Sequence, residues 1–90
     1  MADLEVHVIA PERRLWRGKA TSVVAPAAMG EIGILPKHEP ILALMRAGTV
    51  RVHPKGGEKL EFHIEDGLLS VDGDVVMILV HTRQATPAAH

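Results

Sequence analysis

Leu4, Val6 and Val8 alternate with Glu5 and His7, the two-residue period of a strand with one face in a core. Pro11 closes this segment, because proline cannot donate to a ladder. Arg13–Arg17, around Leu15 and Trp16, predicts a short strand or bend that Gly18 interrupts. Ala20–Ala25, with Val23 and Val24, predicts a further strand ahead of Pro26. Ile41, Leu42, Leu44 and Met45 suit one turn of amphipathic helix or a buried strand; periodicity over so few residues does not separate the two, and a strand is the expectation. Val50 and Val52 face one way, and Thr49, Arg51 and His53 the other. After the turn Pro54-Lys55-Gly56-Gly57, Leu60, Phe62 and Ile64 alternate with Lys59, Glu61, His63 and Glu65. That is a hairpin with one wet face. Gly67 opens Leu68–Val71, Asp72-Gly73-Asp74 signals a turn, and Val75–Val80 is an unbroken apolar run suited to a strand covered on both faces.

Many short strands, frequent turn signals and no convincing long helix predict an all-β antiparallel sandwich or flattened barrel. The sandwich is expected over residues 1–83, and the Ala-rich tail over 84–90, with Pro87, is expected to be flexible. Between the third and fourth strand candidates lies Gly30-Glu31-Ile32-Gly33-Ile34-Leu35-Pro36-Lys37-His38-Glu39-Pro40. Gly30 and Gly33 can adopt positive φ, and Pro36 and Pro40 fix φ. Ile32, Ile34 and Leu35 call for burial, while Glu31, Lys37, His38 and Glu39 stay free to face water or a partner. The segment reads as a shaped, charged loop.

Ninety residues allow one core, and the 47% hydrophobic content is ample for it. That core is aliphatic, since Trp16 and Phe62 are the only aromatic side chains. Phe62 is in phase with Leu60 and Ile64 and belongs inside; Trp16, between Arg14 and Arg17, covers one end of the sandwich or anchors a surface contact. So few aromatics leave no stacking platform for an oligonucleotide. A net charge of −1, from 10 basic and 11 acidic residues spread along the chain, names no polyanionic partner. The absence of cysteine excludes disulfide and thiolate chemistry and fits a reducing compartment. The first residues lack the pattern of a secretory signal, and no apolar run is long enough to span a bilayer.

Of the six histidines, His7, His53 and His63 fall on outward positions of different strands without the paired spacing of metal ligands, and His81 ends the last strand. No metal site is expected. Glu31, His38 and Glu39 have the residue types of a general acid–base set, but no nucleophile stands near them and no pocket is implied. The Gly30-x-x-Gly33 spacing lacks the following helix that a phosphate cradle needs. A structural or docking loop is the stronger reading, and no cofactor is implied.

The order of features from Pro11-Glu12-Arg13 through Trp16-x-Gly18, Val23-Val24-Ala25-Pro26, Gly30-Glu31-Ile32-Gly33-Ile34-Leu35-Pro36, His38, Pro40, Gly48 and Gly67 resembles a known family. It is similar to the N-terminal β-sandwich domain of the epsilon subunit of the F-type ATP synthase, over Leu4 to about Thr82. The resemblance implies a non-catalytic rotor subunit that packs on the gamma subunit and rests on the c-ring, helping to couple proton flow to ATP synthesis. It implies interface positions at Glu31, Leu35, Pro36, His38 and Leu42, with Glu31 toward the c-ring loops and His38 near gamma. It also implies a peripheral place on the cytoplasmic face of a bacterial cell membrane. Lys37 stands where the family commonly has glycine, and Val80-His81-Thr82-Arg83 replaces the more usual Ala-Asp-Thr-Ala. The family's C-terminal helical hairpin is not among these residues, so inhibition by helix extension and ATP binding are not expected of them. The competing reading is a stand-alone β-sandwich module that binds some other protein.

Overall fold

The computed structural model describes residues 3–81, which form eight strands and no helix. In chain order these are β1 (Leu4–Ala10), β2 (Arg13–Ala27), β3 (Gly30–Ile34), β4 (Ile41–Met45), β5 (Gly48–Pro54), β6 (Leu60–Ile64), β7 (Asp66–Asp72) and β8 (Val75–His81). The long strand β2 joins two layers. Its first half pairs with β1, from Ala10↔Arg13 to Leu4↔Ala20. From Ala20 onward it pairs with β5 on one side and, from Val23, with β3 on the other; Ala27 then meets Met45 of β4. One layer therefore runs β4-β7-β8-β1 into the first half of β2, and the other runs β3, the second half of β2, β5 and β6.

The expected sandwich is the fold, with one parallel pairing added. Strand β8 lies between β7, its antiparallel hairpin partner, and β1, with which it runs parallel from Glu5↔Val75 to Ile9↔Leu79. Period-two alternation sends Leu4, Val6 and Val8 of β1, Val50 and Val52 of β5, Phe62 and Ile64 of β6, Leu69 and Val71 of β7, and Val76, Ile78 and Val80 of β8 into one core. The segment Ile41–Met45 is the strand expected, and the Asp72-Gly73-Asp74 turn is present with Gly73 at φ 61°.

Several expectations change. Gly18 does not interrupt a strand, because Arg13–Ala27 is continuous. A Cβ at Gly18 would lie 2.7 Å from Cζ2 of Trp16, so glycine is there to seat the indole, which packs against the core as a cover. The bulge opposite Val8 and Ile9 is where the strand absorbs Leu15. Pro26 is tolerated within β2 and offers its carbonyl to the Arg46 N–H at 2.9 Å.

The Gly30–Pro40 segment is a loop only in its second part. Gly30–Ile34 is strand β3, joined to β2 by a tight turn at Ala28 and Met29 in which Gly30 takes φ 132°, whereas Gly33 sits in the strand without a positive φ. Ile34 is buried and Ile32 half-buried, but Leu35 is 61% exposed, contrary to the burial expected of it. The run Val75–Val80 is covered on one face only: Val76, Ile78 and Val80 are inside, while Val75 and Leu79 face outward and exposed. The expected flexible tail, 84–90, lies outside the described residues.

Candidate docking surface

Two outer faces result from this fold, and their chemistry differs. On the β4-β7-β8-β1 layer, strand register sets outward side chains in lateral rows. One row runs Leu44, Leu68, Leu79, Ile9, and the next runs Leu42, Ser70, Met77, His7. Each outward position follows from the alternation that sends Met45, Leu69, Ile78 and Val8 inward. Leu42 is 71% exposed, Leu44 69% and Leu79 41%, so this face presents a contiguous apolar strip to solvent. At one end the strip deepens into an open groove of about 600 Å³ lined by Ile9, Pro11, Leu44, Leu68, Leu79 and His81. A strip of this kind, rimmed by polar residues, marks an interaction site.

Gly67 shapes that groove. A Cβ there would stand 2.3 Å from the Leu79 carbonyl oxygen and 2.8 Å from Cε of Met45, so only glycine lets β7 approach β8 so closely.

The other layer shows solvent a charged surface. Glu31 of β3 accepts from Arg51 of β5 at 3.3 Å, Arg51 also meets Glu61 at 3.5 Å, and Lys59 meets Glu61 at 3.4 Å. His53 hydrogen-bonds Ser22 at 3.2 Å and His63 hydrogen-bonds Thr49 at 3.1 Å. This is the wet face of the hairpin expected from the alternation around Phe62.

Between the faces, the β3–β4 loop is held by the β7–β8 turn. The Lys37 backbone N–H donates to Oδ1 of Asp74 at 2.7 Å, and the carbonyl of the same Asp74 accepts from the Glu5 N–H at 2.7 Å. Lys37 has φ 68°, the left-handed region that costs any side chain with a Cβ. Lys37 therefore holds a left-handed position under strain. His38 N–H closes the turn on the Leu35 carbonyl at 3.2 Å, and its ring Nδ1 donates to the Glu39 carbonyl at 2.6 Å.

Five positions are implied by the family resemblance, and the structure distributes them rather than gathering them. Leu42 lies on the apolar strip, Leu35, Pro36 and His38 lie on the loop at its border, and Glu31 belongs to the charged layer with Arg51. Glu31 and His38 each bond a different partner, which does not favour the acid–base reading. Among the described residues no three His, Asp or Glu side chains gather as a metal site. Leu44, Leu68, Met77, Leu79 and Ile9 are the docking candidates that sequence reasoning missed. The signal was the unbroken Val75–Val80 run: apolar residues at both phases ask for cover on both faces, and among the described residues only one face has it.

Comparison with known proteins is consistent across sequence and fold. Residues 3–86 match the family model described as the ATP synthase delta/epsilon chain β-sandwich domain. An ATP synthase epsilon chain of Corynebacterium diphtheriae is 46% identical over 80 residues, which is 88% of this chain and 65% of that protein. One from Mycolicibacterium smegmatis is 46% identical over 85 residues, covering 93% of this chain and 70% of that protein. One from Xanthomonas campestris is 40% identical over 82 residues, 91% of this chain and 59% of that protein. The chain thus spans roughly two thirds of the length of these relatives. A chain in the cryo-EM structure of the Euglena gracilis mitochondrial ATP synthase superposes with TM-score 0.82 at 22% identity, over 89% of this chain and 51% of that one. One in the Tetrahymena thermophila mitochondrial ATP synthase central stalk and c-ring structure gives TM-score 0.71 at 14% identity, over 87% of this chain and 63% of that one. At those identities the likeness concerns the fold alone.

Proposed function

This chain belongs to the ATP synthase delta/epsilon family, whose β-sandwich domain it carries, and we propose that it serves as a non-catalytic rotor part between the gamma subunit and the c-ring. The observation that carries the reading is the apolar strip of Leu42, Leu44, Leu68, Met77, Leu79 and Ile9 on an otherwise well-packed sandwich. A face this apolar is stable in water only at a cost, and burying it against a neighbour returns about 25 cal/mol per Å² of apolar area. The gamma subunit covers this strip, and the β3–β4 loop with Leu35, Pro36 and His38 lies at its border. Glu31, next to the exposed Met29 at the tip of the β2–β3 hairpin, turns toward the c-ring.

The work of such a part is mechanical. Torque passes through the domain as a rigid body, which its closed pairing from β4 through β7, β8, β1 and β2 supports. In this role it works at the cytoplasmic face of the membrane, held there by the complex. The sandwich neither binds ATP nor inhibits hydrolysis by itself.

The test is co-purification from cells expressing a tagged chain. Recovery of gamma and c subunits in a fixed ratio to the tagged chain is the expected result; a chain that elutes without either overturns the rotor reading. An ATP titration of the isolated sandwich that saturates would count against the statement on nucleotide.

A further inference from the structure

The apolar strip has a row of cations along its β2 side. Following the rows across β1 onto the first half of β2, Ile9 is paired with Arg14, His7 with Arg17 and Glu5 with Lys19, and cross-strand partners point to the same side of a sheet. The surface thus grades from Leu44 and Leu42 on β4 to three cations on β2, five neighbouring strands spaced about 4.8 Å apart.

None of Arg14, Arg17 and Lys19 forms an ion pair with another of the described residues. The carboxylates beside Lys19 have other partners: Glu5 bonds His7 at 2.8 Å, Asp3 meets Lys55 at 3.1 Å and Asp74 accepts the Lys37 N–H at 2.7 Å. The charged layer on the opposite face is different, because there Arg51 and Lys59 are both neutralised within the chain.

We infer that the protein surface covering this face carries an apolar strip bordered along one side by carboxylates, which meet Arg14, Arg17 and Lys19. The inference rests on the rotor reading for the identity of that partner and adds its chemistry and its orientation. Leu42 and Leu44 fix the apolar edge and the cationic row fixes the acidic one, so the pair docks in one sense and not in the reverse. Rim charges of this kind act mainly on the rate of encounter and on salt dependence, while the apolar rows set how long the complex lasts.

The experiment measures association of the purified chain with ATP synthase particles stripped of it, at low and at raised salt. Wild type is expected to associate more slowly as salt rises. Arg14→Glu with Arg17→Glu is expected to slow association by about tenfold at low salt and to flatten the salt dependence. Leu44→Asp is expected to shorten the lifetime of the complex. Arg14→Gln with Arg17→Gln, which introduces no repulsion with the fold's own groups, should show the same flattening in a milder form. Salt-independent association of wild type, or charge variants that associate like wild type while Leu44→Asp fails, overturns the acidic border and leaves the docking face standing. Wild type that does not associate at all overturns the rotor reading itself.

Discussion

Replacing Asp74 by alanine is expected to loosen the β3–β4 loop and to lower the stability of the domain by about 1.5 kcal/mol. The Asp74 carboxylate accepts the Lys37 N–H at 2.7 Å, and a hydrogen bond to a charged group contributes about 1.5–3 kcal/mol net. Asp74 is half-buried, so the lower end applies. Against this stands Lys37 at φ 68°, a left-handed conformation costing roughly 1–2 kcal/mol for a residue with a Cβ. The two effects are of equal size, so the tether holds the strained residue in place with little to spare. For a domain of this size about 1.5 kcal/mol corresponds to a fall in Tm of roughly 6–12 °C.

Urea titration followed by far-ultraviolet circular dichroism reads the effect as a lower midpoint at unchanged slope. Two controls separate the cause. Lys37→Ala should be neutral within about 0.5 kcal/mol, because the bond uses the backbone amide and alanine leaves the φ cost as it was. Asp74→Asn keeps a neutral acceptor and should lose about half as much as Asp74→Ala. The reasoning is refuted if Asp74→Ala unfolds at the wild-type midpoint, or if Lys37→Ala is as damaging as Asp74→Ala.

Further outcomes follow from the same geometry. Gly67→Ala should destabilise by about 2–3 kcal/mol in the same titration, since its new Cβ would stand 2.3 Å from the backbone oxygen of Leu79, which cannot turn away as a side chain would. Leu69→Ala, at a fully buried site, should cost about 2–5 kcal/mol by the loss of apolar contact and the cavity left behind. The Glu5 carboxyl lies below its ordinary 4.5, chiefly through the hydrogen bond from His7, with the charges of His7, Arg17 and Lys19 adding to it. His7→Ala should therefore raise it, as read by NMR titration. A depressed carboxyl stabilises the fold above its unfolded value and loses that contribution as pH falls through the folded one, so the variant should lose less stability on acidification below about pH 4.5.

Most of the fold is legible in the residues. The phase of Leu4, Val6 and Val8, of Val50 and Val52, and of Phe62 and Ile64 places them in the core because a strand's period is two and one face must be covered. Gly18 misleads because glycine is a common strand breaker, whereas here its missing Cβ makes room for the Trp16 indole two residues away in the same strand. Gly30–Ile34 reads as loop because two glycines and nearby prolines outweigh Ile32 and Ile34; long-range pairing with Val23–Ala27 decides otherwise.

The docking surface is less legible, for a physical reason. An apolar side chain says that it needs cover but does not say from where, and Leu44, Met77 and Leu79 read in sequence like core. Leu42 was reachable only through the family resemblance. The rows joining it to Leu44, Leu68, Leu79 and Ile9 depend on registers among four strands, one of them the parallel β1–β8 pairing that no local pattern announces. At Lys37 the resemblance leaves two alternatives, a position that needs no positive φ or a lysine under strain, and the φ of 68° is the second.

The most direct measurement of the docking face is photo-cross-linking in the assembled complex, with a benzophenone side chain placed at Leu44 on the apolar strip or at Glu61 on the charged layer. Both sites are on the outer surface of the same sandwich, on opposite layers, so each serves as the control for the other. A rotor subunit docked by its β4-β7-β8-β1 face should cross-link to the gamma subunit from Leu44 and not from Glu61. Cross-links to gamma from Glu61, with none from Leu44, would contradict it.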